Sequence, residues 1–253
     1  MKGTIIVRHK TVKPYKPILV AGLPGIGYVG RLAALHLIKE YKAEKFATLY
    51  SDSFPYEVIM TKKGTVRIAN NRFYLIKRKK PERDIVILTG DVQAITSEGQ
   101  YEVNTKIIDL LQSLGGTFVY TIGGYNSGVQ VQTPRVYGSA TSTRVIEALK
   151  DSGIIFGQSR GSIIGSAGLL VAFAKAEKLD GVCLMGESSM LNVDAAAAKA
   201  VIKTLSKILN LKVDTTHLDK LIDRTAKAMK AFEEKMKGSG FEGQVSGSPS
   251  YIR

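Results

Sequence analysis

The most constraining feature of the chain is the stretch Gly22-Leu23-Pro24-Gly25-Ile26-Gly27-Tyr28-Val29-Gly30. It lies between the apolar run Ile18-Leu19-Val20-Ala21 and a segment, Arg31 to Tyr41, with helical spacing. An apolar run bounded by Pro17 and Gly22 reads as a buried strand. In the following segment Leu32, Leu35, His36, Ile38 and Lys39 are expected to form the inward face. Gly25, Gly27 and Gly30 fit the G-x-G-x-x-G pattern of a strand-to-helix turn. Two readings follow. The glycines permit a tight turn and close contact of helix on strand, or they also bring backbone amides up to a pyrophosphate. The second needs an acidic residue near the end of the next strand, and Asp52 is the candidate.

Strand rhythm recurs downstream. Asp84 to Thr89 is nearly all apolar and ends at Gly90-Asp91, as a strand covered on both faces does. A helix over 100–114 and a strand over 117–122 follow, joined by Gly115-Gly116, which makes a right-handed parallel crossover. Further helices are expected over 142–151, 161–178 and 194–209, the last capped by Asn192 or Asp194. A short strand is expected at 135–137 and a core strand at 181–185. Ahead of Asp84, Glu57 to Met60, Thr65 to Ala69 and Phe73 to Lys77 alternate and are parted by Lys63-Gly64 and Asn70-Asn71, the chemistry of hairpins. The fold class is therefore α/β, a three-layer α/β/α core over residues 1–212 with a mostly parallel sheet and a small antiparallel hairpin insertion near 55–82. A C-terminal helix is expected over 213–237 and a flexible Gly/Ser-rich tail over 238–253.

Four stretches together carry a family likeness: the glycine signature after its strand, Thr89-Gly90-Asp91, Ile122-Gly123-Gly124-Tyr125, and the glycine-rich segment from Gly161 to Leu170. In that order they resemble the proteasome assembly chaperone 2 family, over about residues 17–209. The resemblance implies a non-enzymatic homo-oligomer that binds the proteasome core particle or its α-subunits, alone or with a homologous chaperone subunit, to assist assembly or activation. It also implies that C-terminal tails reach pockets between α-subunits, which makes Tyr251, Ile252 and Arg253 the partner-binding residues. The family's activator ending has tyrosine next to last; here Tyr251 is third from last.

Residue chemistry limits other functions. The formal net charge is +14, and nine Lys or Arg against one acid, Glu82, lie between Lys62 and Arg83. An RNA-associated protein would place aromatics there to stack bases, and only Phe73 and Tyr74 are available, so a solvent-facing basic hairpin is the favoured reading. The single cysteine, Cys183, sits in a strand-like run and reads as a core residue. His9, His36 and His217 share no motif, and no nucleophile elbow is present. Asp91, Glu98, Glu102 and Glu187 fall near strand ends, where α/β sites form, yet nothing beside them fixes a reaction. A small-molecule enzyme using the glycine turn is the alternative. No metal and no cofactor is expected. No signal peptide or membrane span is visible, so the chain is expected in the cytoplasm.

Overall fold

The computed structural model describes residues 2–128, 131, 133–157, 161–188 and 193–225. In chain order the elements are β1 (Thr4–Arg8), β2 (Ile18–Gly22), α1 (Val29–Glu40), β3 (Glu44–Ser51), β4 (Val58–Met60), β5 (Val66–Ile68), β6 (Asn71–Ile76), β7 (Ile85–Gly90), α2 (Ser97–Ser113), β8 (Phe118–Asn126), β9 (Val136–Ala140), α3 (Thr143–Ala148), β10 (Ile154–Phe156), α4 (Ser166–Ala176), β11 (Asp180–Ser188) and α5 (Ala195–Leu209). Nine strands form one sheet in the order β1-β3-β6-β7-β2-β8-β11-β9-β10. The centre, β7-β2-β8-β11, is parallel. Strands β1, β3 and β6 extend it in antiparallel fashion on one flank. On the other, β9 joins β11 antiparallel and β10 joins β9 parallel. The sheet is thus mixed, with its parallel part confined to the middle.

Side-chain alternation along the central strands builds both outer layers. Ile18 and Val20 of β2 point with Ile85 and Ile87 of β7 toward α1 and α5, where Ala33, Leu37, Ala198 and Val201 meet them. Leu19 and Ala21 point with Val86 and Leu88 to the opposite face, against Ile107 and Leu111 of α2 and Leu170 of α4. A strand buried on both faces has no polar side to present, which is why these segments read as unbroken apolar runs.

Three expectations need correction. Asn71–Ile76 is not part of a surface insertion. It is β6, paired with β3 on one side and β7 on the other, with Phe73 and Leu75 buried. The inward face of α1 is Ala33, Ala34 and Leu37 together with the expected His36; Leu32 and Ile38 are half-buried against the same core, and Leu35 and Lys39 are exposed. Close approach of the first turns to the sheet selects Ala33 and Ala34 there, and Leu37 reaches the core one turn further on. Helix α4 begins at Ser166 rather than Gly161, because Gly161 and Gly165 take positive φ angles of 152° and 81° that end any helix before them. Strand β10, only three residues long, lies outside the expected elements. Asp194 caps α5 by accepting from the Ala197 amide at 2.9 Å, one of the two residues expected to do so. Residues 216–225 are helical while 213–215 are not, and the expected C-terminal helix beyond 225, with the tail and its Tyr251, Ile252 and Arg253, lies outside the described residues.

Candidate functional site

The glycine turn is built by contacts too close for side chains. A Cβ on Gly22 would stand 2.1 Å from the Gly30 carbonyl oxygen, and one on Gly30 would stand 2.3 Å from that of Ile122. These two positions let the first turn of α1 rest directly on β2 and β8. Gly27 has φ of 59°, and its missing Cβ faces Ser188 Oγ at 2.8 Å. Its carbonyl accepts from the Asp194 amide at 2.8 Å, and Ser188 Oγ donates to Asp194 Oδ2 at 2.8 Å. The start of α5 is thereby tied to the turn. Gly25 differs: nothing lies within 4 Å of its Cβ position, and its φ of −174° is ordinary extended backbone.

The acidic residue that a dinucleotide site requires is elsewhere. Asp52 follows β3, and β6 and β7 stand between β3 and β2. There its carboxylate accepts from the Gly3 amide at 2.7 Å, fastening the N-terminal strand. In a dinucleotide fold the second strand lies beside the first. The turn and Asp52 are therefore not brought together.

The strand-end carboxylates also hold structure. Asp91 follows β7 with its side chain 4% exposed. It takes Arg67 through two bonds of 2.5 and 3.0 Å and Arg72 at 2.9 Å, and Arg31 Nη2 stands 3.7 Å away. Burial pushes this carboxyl up, but the Arg67 bonds, the Arg72 charge and the Asn70 amide outweigh it and hold it below the usual aspartate range. Glu187, fully buried near the end of β11, accepts from Arg135 Nε at 2.8 Å and Nη2 at 2.7 Å, and that pairing lowers its pKa. Glu102 accepts from the Thr4 amide at 2.7 Å and joins α2 to β1; Glu98 is exposed. Among the described residues no group of three or more His, Cys, Asp or Glu is placed to hold a metal ion.

Cys183 lies in the core with burial pushing its thiol up to about 11, so the thiolate nucleophile is suppressed. His36 Nε2 bonds to the Asp214 carbonyl at 2.8 Å and His9 Nε2 to Thr48 Oγ1 at 2.8 Å. Both join distant segments.

The basic stretch is largely engaged with the protein itself. Arg67 and Arg72 hold Asp91; Lys77 reaches Asp84 at 3.1 Å; Arg78 reaches Glu82 at 3.0 Å. Arg83 donates to the carbonyls of Lys16 and Pro17 and to Thr117 Oγ1. Five of the nine cations therefore build β6 and its surroundings instead of a free electrostatic face. Strands β4 and β5 form a separate two-stranded hairpin. Ile59 packs on the core and Arg67 on Asp91, so that face lies against the body. The other carries Val58, Met60, Val66 and Ile68, all more than half exposed. No helix among the described residues is long and apolar enough to cross a membrane.

A family model described as the PAC2 family matches residues 19–233. The chain belongs to the PAC2 family. Among solved structures of similar proteins, Pyrococcus furiosus PbaB, described as an archaeal proteasome activator, is 39% identical, with a TM-score of 0.88 over 92% of this chain and 100% of that one. Pyrococcus furiosus PbaA, described as an archaeal homolog of proteasome-assembly chaperone, is 25% identical, with a TM-score of 0.79 over 94% of each chain. An uncharacterized protein of Methanocaldococcus jannaschii is 39% identical over 235 residues, 92% of this chain and 88% of that protein. The PAC2 signature residues thus sit in the fold that the family likeness implies.

Proposed function

We propose that this PAC2 chain is a non-enzymatic, self-associating scaffold that binds the proteasome core particle or its α-subunits. The observation that carries the reading is the 39% identity to an archaeal proteasome activator at a TM-score of 0.88, spanning 92% of this chain and all of that one. PbaA, described as a homolog of an assembly chaperone, is more distant at 25%. Activation is accordingly favoured over assembly. The chemistry of the strand ends supports the same reading, since Asp91 and Glu187 are occupied by arginines and Cys183 is buried.

Two contact regions are assigned. Self-association uses the β4–β5 hairpin, whose exposed residues pair as Val58 with Ile68 and Met60 with Val66. A two-fold contact buries the same patch on both copies, and this patch can serve both sides. Partner docking uses Tyr251, Ile252 and Arg253. Several such segments on one oligomer gain by effective concentration, which offsets weak individual contacts. The test is to mix the full chain with proteasome core particle and measure both co-migration and peptide hydrolysis. Association with raised hydrolysis supports activation. Association of a chain truncated after Lys237 equal to that of the full chain would remove residues 251–253 from the reading.

A further inference from the structure

The glycines of the signature divide into two kinds. Gly22, Gly27 and Gly30 leave no room for a side chain. Gly25 meets nothing within 4 Å, and a Cβ on Gly123 would meet only the Ala167 methyl at 3.5 Å, an ordinary contact. Neither has a positive φ. Packing and backbone conformation therefore leave both unexplained. What they share is a cleft of about 600 Å³, which both line.

The cleft lies toward the C-terminal ends of β2, β8 and β11, bounded by the turn that follows β2, by Gln93 after β7 and by the segment leading into α4. Helix α1 leaves β2 toward one face of the sheet and α2 leaves β7 toward the other. Such a divergence opens the crevice in which α/β sheets hold ligands. The volume is in the range of small-molecule sites, roughly 300–1,000 Å³.

The lining defines the ligand class. Leu23, Ile26, Leu170 and Met185 form its apolar wall, and among the described residues no Asp, Glu, Lys, Arg or His lines it. Its two glutamines are spent on the walls. Gln93 Nε2 donates to the Pro24 carbonyl at 2.6 Å and its Oε1 accepts from the Ser166 amide at 2.8 Å, bridging the glycine turn to the start of α4. Gln100 donates to the Ala94 carbonyl at 2.7 Å. These bridges keep the cleft shaped, and Tyr125, Asn126 and Ser162 add further uncharged polar side chains to its lining. A charged ligand entering it would lose hydration without gaining a counter-charge.

We propose that this cleft binds an uncharged, mainly apolar small molecule, and that Gly25 and Gly123 are glycines to leave space for it. The site is independent of partner docking. The test is ligand-observed saturation-transfer NMR on the full chain with indole and benzamide as neutral probes, benzoate and benzylammonium as charged probes of similar size, and ADP. The neutral probes bind saturably, and the charged probes and ADP bind at least tenfold more weakly. Gly25→Leu, whose side chain projects into open space and leaves the fold intact by circular dichroism, lowers indole affinity tenfold or more; Gly123→Leu does the same. Core-particle association of Gly25→Leu stays at the wild-type level. Absence of neutral-probe binding, indole affinity unchanged in folded Gly25→Leu, or ADP displacing indole would overturn the proposal.

Discussion

Gly30 of α1 lies so close to Ile122 of β8 that a Cβ would stand 2.3 Å from the Ile122 carbonyl oxygen. The contact is with backbone, which cannot rotate aside as a side chain does. It sets the distance between the α1 layer and the centre of the sheet.

Gly30→Ala is therefore expected to cost about 1–3 kcal/mol through overpacking, and Gly22→Ala, facing the Gly30 carbonyl at 2.1 Å, a similar amount. Gly25→Ala, in open space, is expected to stay within about 0.5 kcal/mol of wild type. Urea unfolding midpoints of the three variants test this ordering.

Asp91 gives a pH signature. Its folded pKa lies below its unfolded one, so its contribution to stability is present above the ordinary aspartate range and is lost as pH falls through the depressed folded value. Asp91→Asn is expected to cost about 1–3 kcal/mol at neutral pH, since it weakens charged hydrogen bonds to partly exposed arginines. The difference from wild type shrinks as the pH drops below about 4. Stability measured against pH for both proteins checks the sign. A gap that widens toward acid would contradict it.

These two sites show what can be read from a sequence. The glycine turn was visible because a strand, a glycine cluster and a helix are consecutive, and the central strands were visible because burial on both faces leaves them uniformly apolar. The Asp91 cluster was not, since Arg31, Arg67 and Arg72 arrive from α1, β5 and β6 and no spacing links them. Strand β6 was misplaced for a related reason. Its alternating residues beside Asn70-Asn71 have the local pattern of a hairpin, while its partners, β3 and β7, are set by the whole sheet. On α1 the larger leucines drew attention, but the proximity enforced by Gly22 and Gly30 places Ala33 and Ala34 against the strands. The cleft beside Gly25 depends on Gln93 reaching Pro24 across 69 residues of chain and Ser166 across 73, beyond any local signal.

Cys183 supplies a probe of the core. With its thiol fully buried and its pKa raised to about 11, it is expected to resist a thiol reagent at pH about 8 in the native state and to react once urea unfolds the chain. Prompt labelling of the folded protein would contradict the packing of β11 between β8 and β9.

The hairpin face makes a prediction about assembly. Met60→Glu combined with Val66→Glu places two carboxylates on adjoining exposed positions and is expected to lower the oligomer mass seen by light scattering while leaving the melting temperature of the monomer fold within a few degrees. An unchanged mass would move the self-contact elsewhere.

Native mass spectrometry of the full chain mixed with proteasome core particle decides whether this chain binds it. The account predicts a complex of several copies of this chain with one core particle. A mixture in which the two proteins keep their separate masses would contradict it.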